Sequence, residues 1–348
     1  MGKALFEIAG EQNEGLQIIS MYDATAGAHG NTYFPAGIFK GFSTSKIQCS
    51  AYAIRKGLRA KIIILSHVNL LSIGWAIKKL SPSTKLVLLA HGIEIWKPLS
   101  APKKSMLQCC DHVVAVSEYT RQQLININGV TPARCTVINN CLDPFLASPA
   151  EQGSADELRQ KYNLLPTDIV LFCLTRLAAT ERHKRYETII RSLPAIQQHF
   201  SQRIVYVLAG KYTNDEGAFI KQTAATAGVE GNVVLTGYVP EEEIAALFKM
   251  ADVYVMPSSK EGFGLVFIEA MYYDLPVIAG NKDGSVDALA NGELGVLVDP
   301  DDETAIRDAL IRVLKNKQQY VPDIARVKAR FGYEHYKKQW AEVLATPQ

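Results

Sequence analysis

The sequence predicts an α/β protein made of two domains, each built on a parallel β-sheet. First, the 348 residues suffice for two domains of ordinary size, each with its own core. Second, short apolar runs alternate with helical stretches, a pattern that is typical of parallel sheets. Third, residues 148–155 read SPAEQGSA, and this small, polar segment with Pro and Gly indicates a linker between the domains.

The first half of the chain supplies the elements of the first predicted sheet. Its predicted strands are 16–21, 60–66, 85–90, 111–116 and 135–140. Its predicted helices are 3–12, 43–56 and a stretch that ends at 79. Residues 27–41 are rich in Gly, Pro and aromatic side chains, which predicts a loop. Ser117 follows the fourth strand, where we expect it to cap the next helix.

The second half repeats the alternation. Its predicted strands are 168–174, 203–209, 232–235, 253–256 and 276–279. Its predicted helices are 156–162, 241–248, 265–273, 304–315 and 331–344. In parallel sheets of this kind, ligands bind beyond the carboxyl ends of the strands. Polar residues that directly follow a predicted strand are therefore the candidate site residues.

The loop after the strand 253–256 carries the strongest candidates. Gly262 and Gly264 remove side chains there, so that backbone N–H groups can approach an anion or a sugar. Glu261 precedes these glycines, and Glu269 follows eight residues later, a little over two turns along a mostly buried helix. Two interpretations remain for each acid: Glu261 is a site residue or a solvated loop acid, and Glu269 is a site residue or a paired structural acid.

Charged side chains follow two further strands. Arg176 comes directly after the strand 168–174 and Lys184 lies nearby; two cations in this position suit a diphosphate. The basic residues beside Lys184, Arg182 and Arg185, are equally consistent with a solvated loop. His91 ends the strand 85–90, although a lone histidine is more often structural.

The order of these features resembles the signature of the retaining glycosyltransferases of family 4. It consists of a strand, the run Glu261-Gly262-Phe263-Gly264, a helix bearing Glu269, and the strand 276–279. The segments His91-Gly92 and Asn140-Cys141-Leu142-Asp143, together with the Arg176–Lys184 pair, extend the resemblance over nearly the whole chain. It implies the GT-B architecture, in which two Rossmann-like domains face each other across a cleft.

The resemblance also implies roles for the candidate residues. Arg176 and Lys184 would neutralise the phosphates of a UDP- or GDP-sugar, Glu269 would hold the ribose, and Tyr238 would lie near the base. Glu261 and His91 would face the donor sugar as catalytic residues. Gly262, Phe263, Gly264 and Leu265 would complete the donor site. The family uses a front-face retaining route without a protein nucleophile, and neither a metal nor a cofactor is expected.

The resemblance assigns the domains as well. Residues 1–147, completed by a helix over 331–348, would form the acceptor-side domain, and 156–330 the domain that binds the nucleotide sugar. The family usually opens with a strand and a Gly-Gly loop, whereas this chain begins on what reads as the following helix, and the run Gly27-Ala28-His29-Gly30 is a poor substitute. Thr175, Arg185 and Cys141 stand where the family has glycine.

Charge and composition set the expected partners and location. The first 150 residues carry 15 Lys/Arg against 8 Asp/Glu, whereas the net charge of the chain is +2. This basic half could meet anionic lipid or a lipid-linked acceptor, or it could reflect ordinary scatter of surface charge. No nucleic-acid-binding motif occurs. The absence of a long apolar segment, a signal peptide and Cys-x-x-Cys spacing favours a cytoplasmic protein.

Three functions besides that of a transferase stay compatible with the sequence. A nucleotide-sugar epimerase or a sugar phosphorylase could use the same architecture. The third is an inactive subunit that binds nucleotide sugars or a partner protein, which the unusual start of the chain would favour. Turnover by the full chain separates these functions, whereas hydrolysis of the donor alone does not.

Overall fold

The computed structural model describes residues 1–25, 32–148 and 155–345 and divides the chain into two units. Unit 1 consists of Met1–Asn140 and Tyr333–Gln348, and unit 2 of Cys141–Gly332. The run 27–30 and all but the two ends of the segment 148–155 lie outside the described residues.

All twelve described strands pair in parallel. Those of unit 1 are β1 (Ile18–Ser20), β2 (Phe39–Gly41), β3 (Ile62–Leu65), β4 (Lys85–Ala90), β5 (His112–Ala115) and β6 (Cys135–Val137). Those of unit 2 are β7 (Ile169–Leu174), β8 (Ile204–Ala209), β9 (Val233–Gly237), β10 (Val253–Met256), β11 (Val277–Gly280) and β12 (Val296–Val298).

The α-helices are numbered in the same way along the described chain. The first seven are α1 (Gly2–Glu11), α2 (Lys46–Gly57), α3 (Leu71–Leu80), α4 (Ala101–Leu107), α5 (Glu118–Asn126), α6 (Ala155–Lys161) and α7 (Tyr186–Gln197). The others are α8 (Asn214–Thr226), α9 (Glu241–Met250), α10 (Leu265–Tyr272), α11 (Ser285–Ala288), α12 (Glu303–Lys315), α13 (Lys317–Tyr320), α14 (Ile324–Phe331) and α15 (Tyr333–Ala345). No helix in the described ranges is both long and apolar enough to cross a bilayer.

Unit 1 is built on a four-stranded sheet whose strands follow chain order, β3-β4-β5-β6. All six residues of β4 are buried, which explains its near-continuous apolar sequence. The short strands β1 and β2 form a separate two-stranded sheet. As expected, the Ser117 hydroxyl caps α5, accepting the Thr120 N–H at 3.2 Å.

Unit 2 is built on a six-stranded sheet with the order β12-β11-β10-β7-β8-β9. The chain enters at β7, in the middle of the sheet, and runs outward through β8 to β9. It then returns to the other side of β7 with β10 and continues outward to β12. The direction of strand order therefore reverses between β7 and β10, and this creates a crevice between their following loops.

The end of the chain differs from the prediction of one helix over 331–344. The structure has two helices, α14 and α15, separated by Gly332 in an extended conformation with φ −71° and ψ 152°. A Cβ atom at Gly332 would lie 2.3 Å from the Lys328 carbonyl oxygen, so glycine allows the close approach at which the chain changes direction.

Candidate active site

The best-supported site residues of unit 2 lie at the reversal point of its sheet. Arg176 and Lys184 are in the loop after β7, and Glu261 is in the loop after β10. Because β7 and β10 are neighbours, both loops leave the same edge of the sheet side by side. The topology therefore joins two motifs that are almost 80 residues apart in sequence.

Lys184 is the residue that links the two loops. Its ammonium donates to the Thr175 hydroxyl at 2.6 Å and lies 3.8 Å from a Glu261 carboxylate oxygen. A Glu181 oxygen is 3.6 Å away on the other side. The Lys184 side chain is only 15% exposed, so that its charge is fixed in place rather than free in solvent.

Arg176 contrasts with Lys184 in its exposure. Its side chain is 81% exposed, and one guanidinium nitrogen donates to Glu181 at 2.9 Å. A guanidinium held by one exposed ion pair can turn toward a ligand at little cost. The two cations that sequence analysis paired thus share one carboxylate, that of Glu181.

Glu261 is fixed through its backbone. Its N–H donates to Asp283 Oδ2 at 2.6 Å, and its carbonyl accepts the Gly284 N–H at 2.8 Å. Burial raises the pKa of the Glu261 carboxyl, whereas the Lys184 ammonium opposes this rise. The turn after β11 therefore holds the candidate catalytic loop through the backbone N–H and the backbone carbonyl oxygen of Glu261.

Asp283 is a residue whose role sequence analysis did not identify. Its carboxylate is 1% exposed and also accepts the Ser285 N–H at 2.9 Å. Burial raises the pKa of Asp283 to about 6, although these hydrogen bonds oppose the rise. The available signal was the turn 283–287, which resembles the family's glycine-rich turn, but the sequence does not show what that turn contacts.

The run 262–265 divides between ligand-accessible and core positions. Gly264 adopts φ +88° at the start of α10, where a side chain would be strained. Phe263 is 2% exposed and packs on Phe331, with ring centroids 5.7 Å apart. Its side chain therefore belongs to the core, and only its backbone is suited to a ligand. Leu265 is 45% exposed at the first position of the helix.

Glu269 projects from α10 in a partly buried position. Burial raises its pKa to about 7, and the negative charge of Asp143 adds to the effect. Among the residues that the structure describes, none forms a hydrogen bond or ion pair with its carboxylate. The expected pairing as a structural acid is therefore not seen within those ranges, and the carboxylate is suited to a ligand hydroxyl.

Two further candidates follow other strands, β9 in unit 2 and β4 in unit 1. Tyr238 follows β9 directly after Gly237, which has φ +73°, and its side chain is 76% exposed. His91 belongs to unit 1 and is exposed at the end of β4, with its Nε2 2.8 Å from the Ser66 carbonyl oxygen. Since a carbonyl oxygen only accepts, Nε2 carries the proton and Nδ1 is the acceptor of the neutral ring.

A metal-binding group is not found in the described chain, where no set of three or more His, Cys, Asp or Glu side chains is arranged to hold an ion. The cations and acids around Lys184 interact with one another directly. The chemistry that they offer is charge stabilisation of an anionic group and hydrogen bonding to hydroxyls.

Two family profiles match the chain, one in each half. The profile described as glycosyl transferases group 1 matches residues 154–332, more than half of the chain. The profile described as Glycosyltransferase Family 4 matches residues 27–144.

Individual relatives agree with these profiles. The chain is 28% identical over 275 residues to the GDP-mannose-dependent alpha-(1-6)-phosphatidylinositol monomannoside mannosyltransferase of Mycobacterium tuberculosis, covering 75% of this chain and 67% of that protein. It is 35% identical over 221 residues to a D-inositol 3-phosphate glycosyltransferase of Corynebacterium urealyticum, covering 61% of this chain and 51% of that protein. The chain thus spans from half to two thirds of the length of these relatives.

Solved structures support the architecture. Anabaena Alr3699/HepE in complex with UDP and glucose superposes with a TM-score of 0.79 at 20% identity, over 98% of this chain and 95% of that chain. A glycosyltransferase from Rickettsia africae gives the same TM-score at 16% identity, over 98% and 93%. The predicted fold class and family are both confirmed: the chain belongs to the glycosyl transferases group 1 and to Glycosyltransferase Family 4, and is a glycosyltransferase of the GT-B architecture.

Proposed function

We propose that this protein transfers a sugar from a nucleotide-diphosphate donor to a carbohydrate or lipid-linked acceptor, with retention at the anomeric carbon. The observation that carries the proposal is the meeting of Lys184 and Glu261, 3.8 Å apart, at the reversal point of the unit 2 sheet. A fixed cation beside an acid supplies one group for a phosphate and one for the adjoining sugar.

The cations stabilise the leaving group. As the bond between the anomeric carbon and the β-phosphate oxygen breaks, negative charge grows on the diphosphate. Lys184, held by Thr175, and Arg176, which is free to turn, are suited to neutralise that charge. The N-terminus of α10, preceded by Gly262 and Gly264, adds backbone N–H groups at the same edge.

The sugar and the nucleoside use the two acids separately. Glu261 is expected to contact donor-sugar hydroxyls from the loop, and Glu269 the ribose hydroxyls from the helix. Its raised pKa and lack of a described partner support a ligand-facing role for Glu269. Tyr238, exposed after β9, is a candidate contact for the base. One relative is GDP-mannose-dependent and one neighbour holds UDP, so either base is compatible with the proposal.

Unit 1 is assigned to the acceptor, and unit 2 to the donor. His91 is our candidate from unit 1 for contact with the donor sugar, with Nδ1 able to accept a hydrogen bond from a sugar hydroxyl. In a front-face reaction the acceptor oxygen bonds to the anomeric carbon on the side from which the diphosphate leaves, and the acceptor proton passes to a departing phosphate oxygen.

We also propose a cytoplasmic location and contact of the basic first half with anionic membrane.

The test is turnover by the full chain. A thermal-shift screen of UDP, GDP and their sugars identifies the donor, because a ligand of the native state raises the melting temperature. The identified donor is then incubated with phosphatidylinositol, inositol phosphate and oligosaccharide acceptors, and NMR determines the anomeric configuration of the product. An inverted product would disprove retention. Donor binding without transfer to any acceptor would favour the inactive subunit, whereas an epimerised donor would indicate an epimerase and a sugar phosphate would indicate a phosphorylase.

A further inference from the structure

A carboxylate lies between the two cations that the proposed function assigns to the diphosphate. Glu181 Oε1 accepts from Arg176 at 2.9 Å, and Glu181 Oε2 is 3.6 Å from the Lys184 ammonium. His183 Nε2 is 3.7 Å from the same oxygen. The Glu181 side chain is 14% exposed and therefore held in the loop, whereas the Arg176 side chain with which it pairs is 81% exposed.

The segment that carries Glu181 is anchored on both sides. Glu181 belongs to a single 3-10 segment, Ala179–Lys184. Arg182 forms three hydrogen bonds with Glu216, which is 1% exposed, and the His183 carbonyl accepts the Ser259 N–H at 3.0 Å. The backbone beneath Glu181 is thereby fixed, and only its side-chain torsions remain available for movement.

The side-chain charges around Lys184 cancel one another. Arg176 and Lys184 supply two positive charges, and Glu181 and Glu261 supply two negative charges within 4 Å of them. Burial lowers the pKa of His183, which favours its neutral form and leaves the balance unchanged. A diphosphate that approaches this group meets a carboxylate of its own sign in contact with both cations.

We propose that Glu181 is an internal counter-anion of the diphosphate site, which the donor must displace and which thereby sets the affinity for nucleoside diphosphates. The inference rests on the proposed function, because it takes Arg176 and Lys184 as the phosphate contacts. In the empty site Glu181 occupies the place of a phosphate group. When the donor binds, the side chain turns away, and it returns as the nucleoside diphosphate leaves, so that it weakens product binding as well as donor binding.

The test is the variant Glu181→Gln, which keeps the size of the side chain and removes its charge. Calorimetric titration should show UDP, GDP and inorganic pyrophosphate binding to the variant about 1.5-fold to fivefold more tightly than to the wild type, the range of an exposed ion pair. Uridine and guanosine lack phosphates, so their affinity should not change. In the double variant Glu181→Gln with Lys184→Met, the gain should disappear.

Glu230→Gln is the matched control. It makes the same change of charge in the same unit, but Glu230 is exposed and precedes β9, at the opposite edge of the sheet from Lys184. Its nucleotide affinity should equal that of the wild type. Melting temperatures of all variants, with Glu181→Ala as a second neutral substitution, show that each protein is folded.

The outcomes separate this inference from the proposed function. If the wild type binds UDP or GDP and neither neutral variant of Glu181 binds more tightly, the counter-anion role is wrong while the proposed function stands. A loss of affinity in Glu181→Gln would show that Glu181 orients the cations instead. If no variant and no wild-type protein binds any nucleoside diphosphate, the proposed function itself fails, and the inference with it.

Discussion

Two residues that depart from the family pattern have structural explanations at the residue scale. Arg185, in place of glycine, adopts the left-handed conformation that favours glycine, with φ 63° and ψ 24°, and its guanidinium pairs with Asp301. Thr175 uses its hydroxyl to hold the Lys184 ammonium. The substitutions therefore retain the backbone path and add an anchor for the candidate phosphate-binding lysine.

The first prediction separates the two acids of the motif. Glu269→Gln should weaken binding of both free nucleotide and nucleotide sugar by roughly 1.5–3 kcal/mol, because a charged hydrogen bond to the ribose is lost. Glu261→Gln should leave free nucleotide affinity nearly unchanged and slow sugar transfer, since its contact strengthens as the sugar gains positive charge. Nucleotide affinity, transfer rate and melting temperature are measured for both variants.

The opposite outcomes return these acids to structural roles. Normal transfer by Glu261→Gln would remove it from catalysis. If Glu269→Gln lowers the melting temperature and leaves nucleotide affinity intact, Glu269 serves only the fold.

The second prediction concerns pH, because the pKa of Glu269 is raised to about 7. Ribose hydroxyls donate to an ionised carboxylate, so the affinity advantage of the wild type over Glu269→Gln should grow as pH rises through 7 and level off above about 8. The wild type is compared with Glu269→Gln at each pH because the terminal phosphate of UDP or GDP also titrates. Titrations of UDP and GDP from pH 5.5 to 8.5 provide the measurement, and a ratio that does not vary with pH would contradict the assignment.

The pH dependence of folding stability has the opposite sign to the pH dependence of nucleotide affinity. Between about pH 4.5, the ordinary value for glutamate, and about pH 7, the folded state binds more protons at Glu269 than the unfolded state does. The contribution of this group to the free energy of unfolding therefore decreases as pH rises through that window. Glu269→Gln should lack this part of the pH dependence.

At the element scale, the turn between β11 and α11 determines the position of the loop after β10. Asp283 accepts the Glu261 N–H, and the Gly284 N–H donates to the Glu261 carbonyl. An added Cβ at Gly284 would lie 2.0 Å from the Gly262 carbonyl oxygen. The φ of Gly284 is −67°, which any residue can adopt. Glycine is therefore required here because a side chain would collide with the Gly262 carbonyl, not because of the backbone conformation. Two loops from neighbouring strands thus behave as one structural element.

The third prediction is that Gly284→Ala displaces the catalytic loop. Overpacking at this contact should lower the free energy of unfolding by about 1–3 kcal/mol and reduce the transfer rate of the folded enzyme. Gly231→Ala is the matched control, because nothing lies within 4 Å of a Cβ there, and it should be neutral or slightly stabilising. Unchanged unfolding and transfer in Gly284→Ala would show that the two loops are not coupled.

The elements differ in how far the sequence predicts them. For β4 and β10 the predicted bounds, 85–90 and 253–256, agree with the structure, because both are fully buried and read as continuous apolar runs. Two three-residue strands are missed. The strand β2 lies at the end of the segment 27–41, whose Gly, Pro and aromatic residues predict a loop, and β12 was not predicted. The positions of the candidate site residues after strand ends were predictable for the same reason as the strands themselves.

At the scale of the whole molecule, contacts between distant motifs were not predictable. The proximity of Lys184 to Glu261 depends on β10 returning beside β7, and strand order is decided by packing across the unit rather than by local sequence. The contact of Asp283 with Glu261 also depends on neighbouring strands, whereas Glu181 contacts Arg176 and Lys184 within one loop. The resemblance to the family indicated which residues are candidates, whereas the order of the strands determines which of them lie in contact.

The chain path also makes unit 1 dependent on its own last helix. The chain leaves unit 1 after Asn140, builds unit 2, and returns with α15. There Lys85 at the start of β4 donates to the Val343 carbonyl at 2.7 Å, and Tyr333 donates to Glu7 of α1 at 2.8 Å. Trp340 is fully buried on the same helix. Helix α15 therefore completes the core of unit 1, whose other elements precede unit 2 in the sequence.

The final prediction follows from that dependence. Trp340→Ala should lower the free energy of unfolding of unit 1 by about 3–5 kcal/mol, because it leaves a large cavity in a core that the terminal helix completes. Nucleotide affinity should stay at the wild-type value, since the donor-binding residues belong to unit 2. Calorimetric unfolding with and without UDP or GDP measures both effects.

Lys338→Ala, an exposed change on the same helix, should shift stability by less than about 0.5 kcal/mol. A Trp340→Ala protein that unfolds like the wild type, or one that stays folded and loses nucleotide binding, would contradict this division of roles.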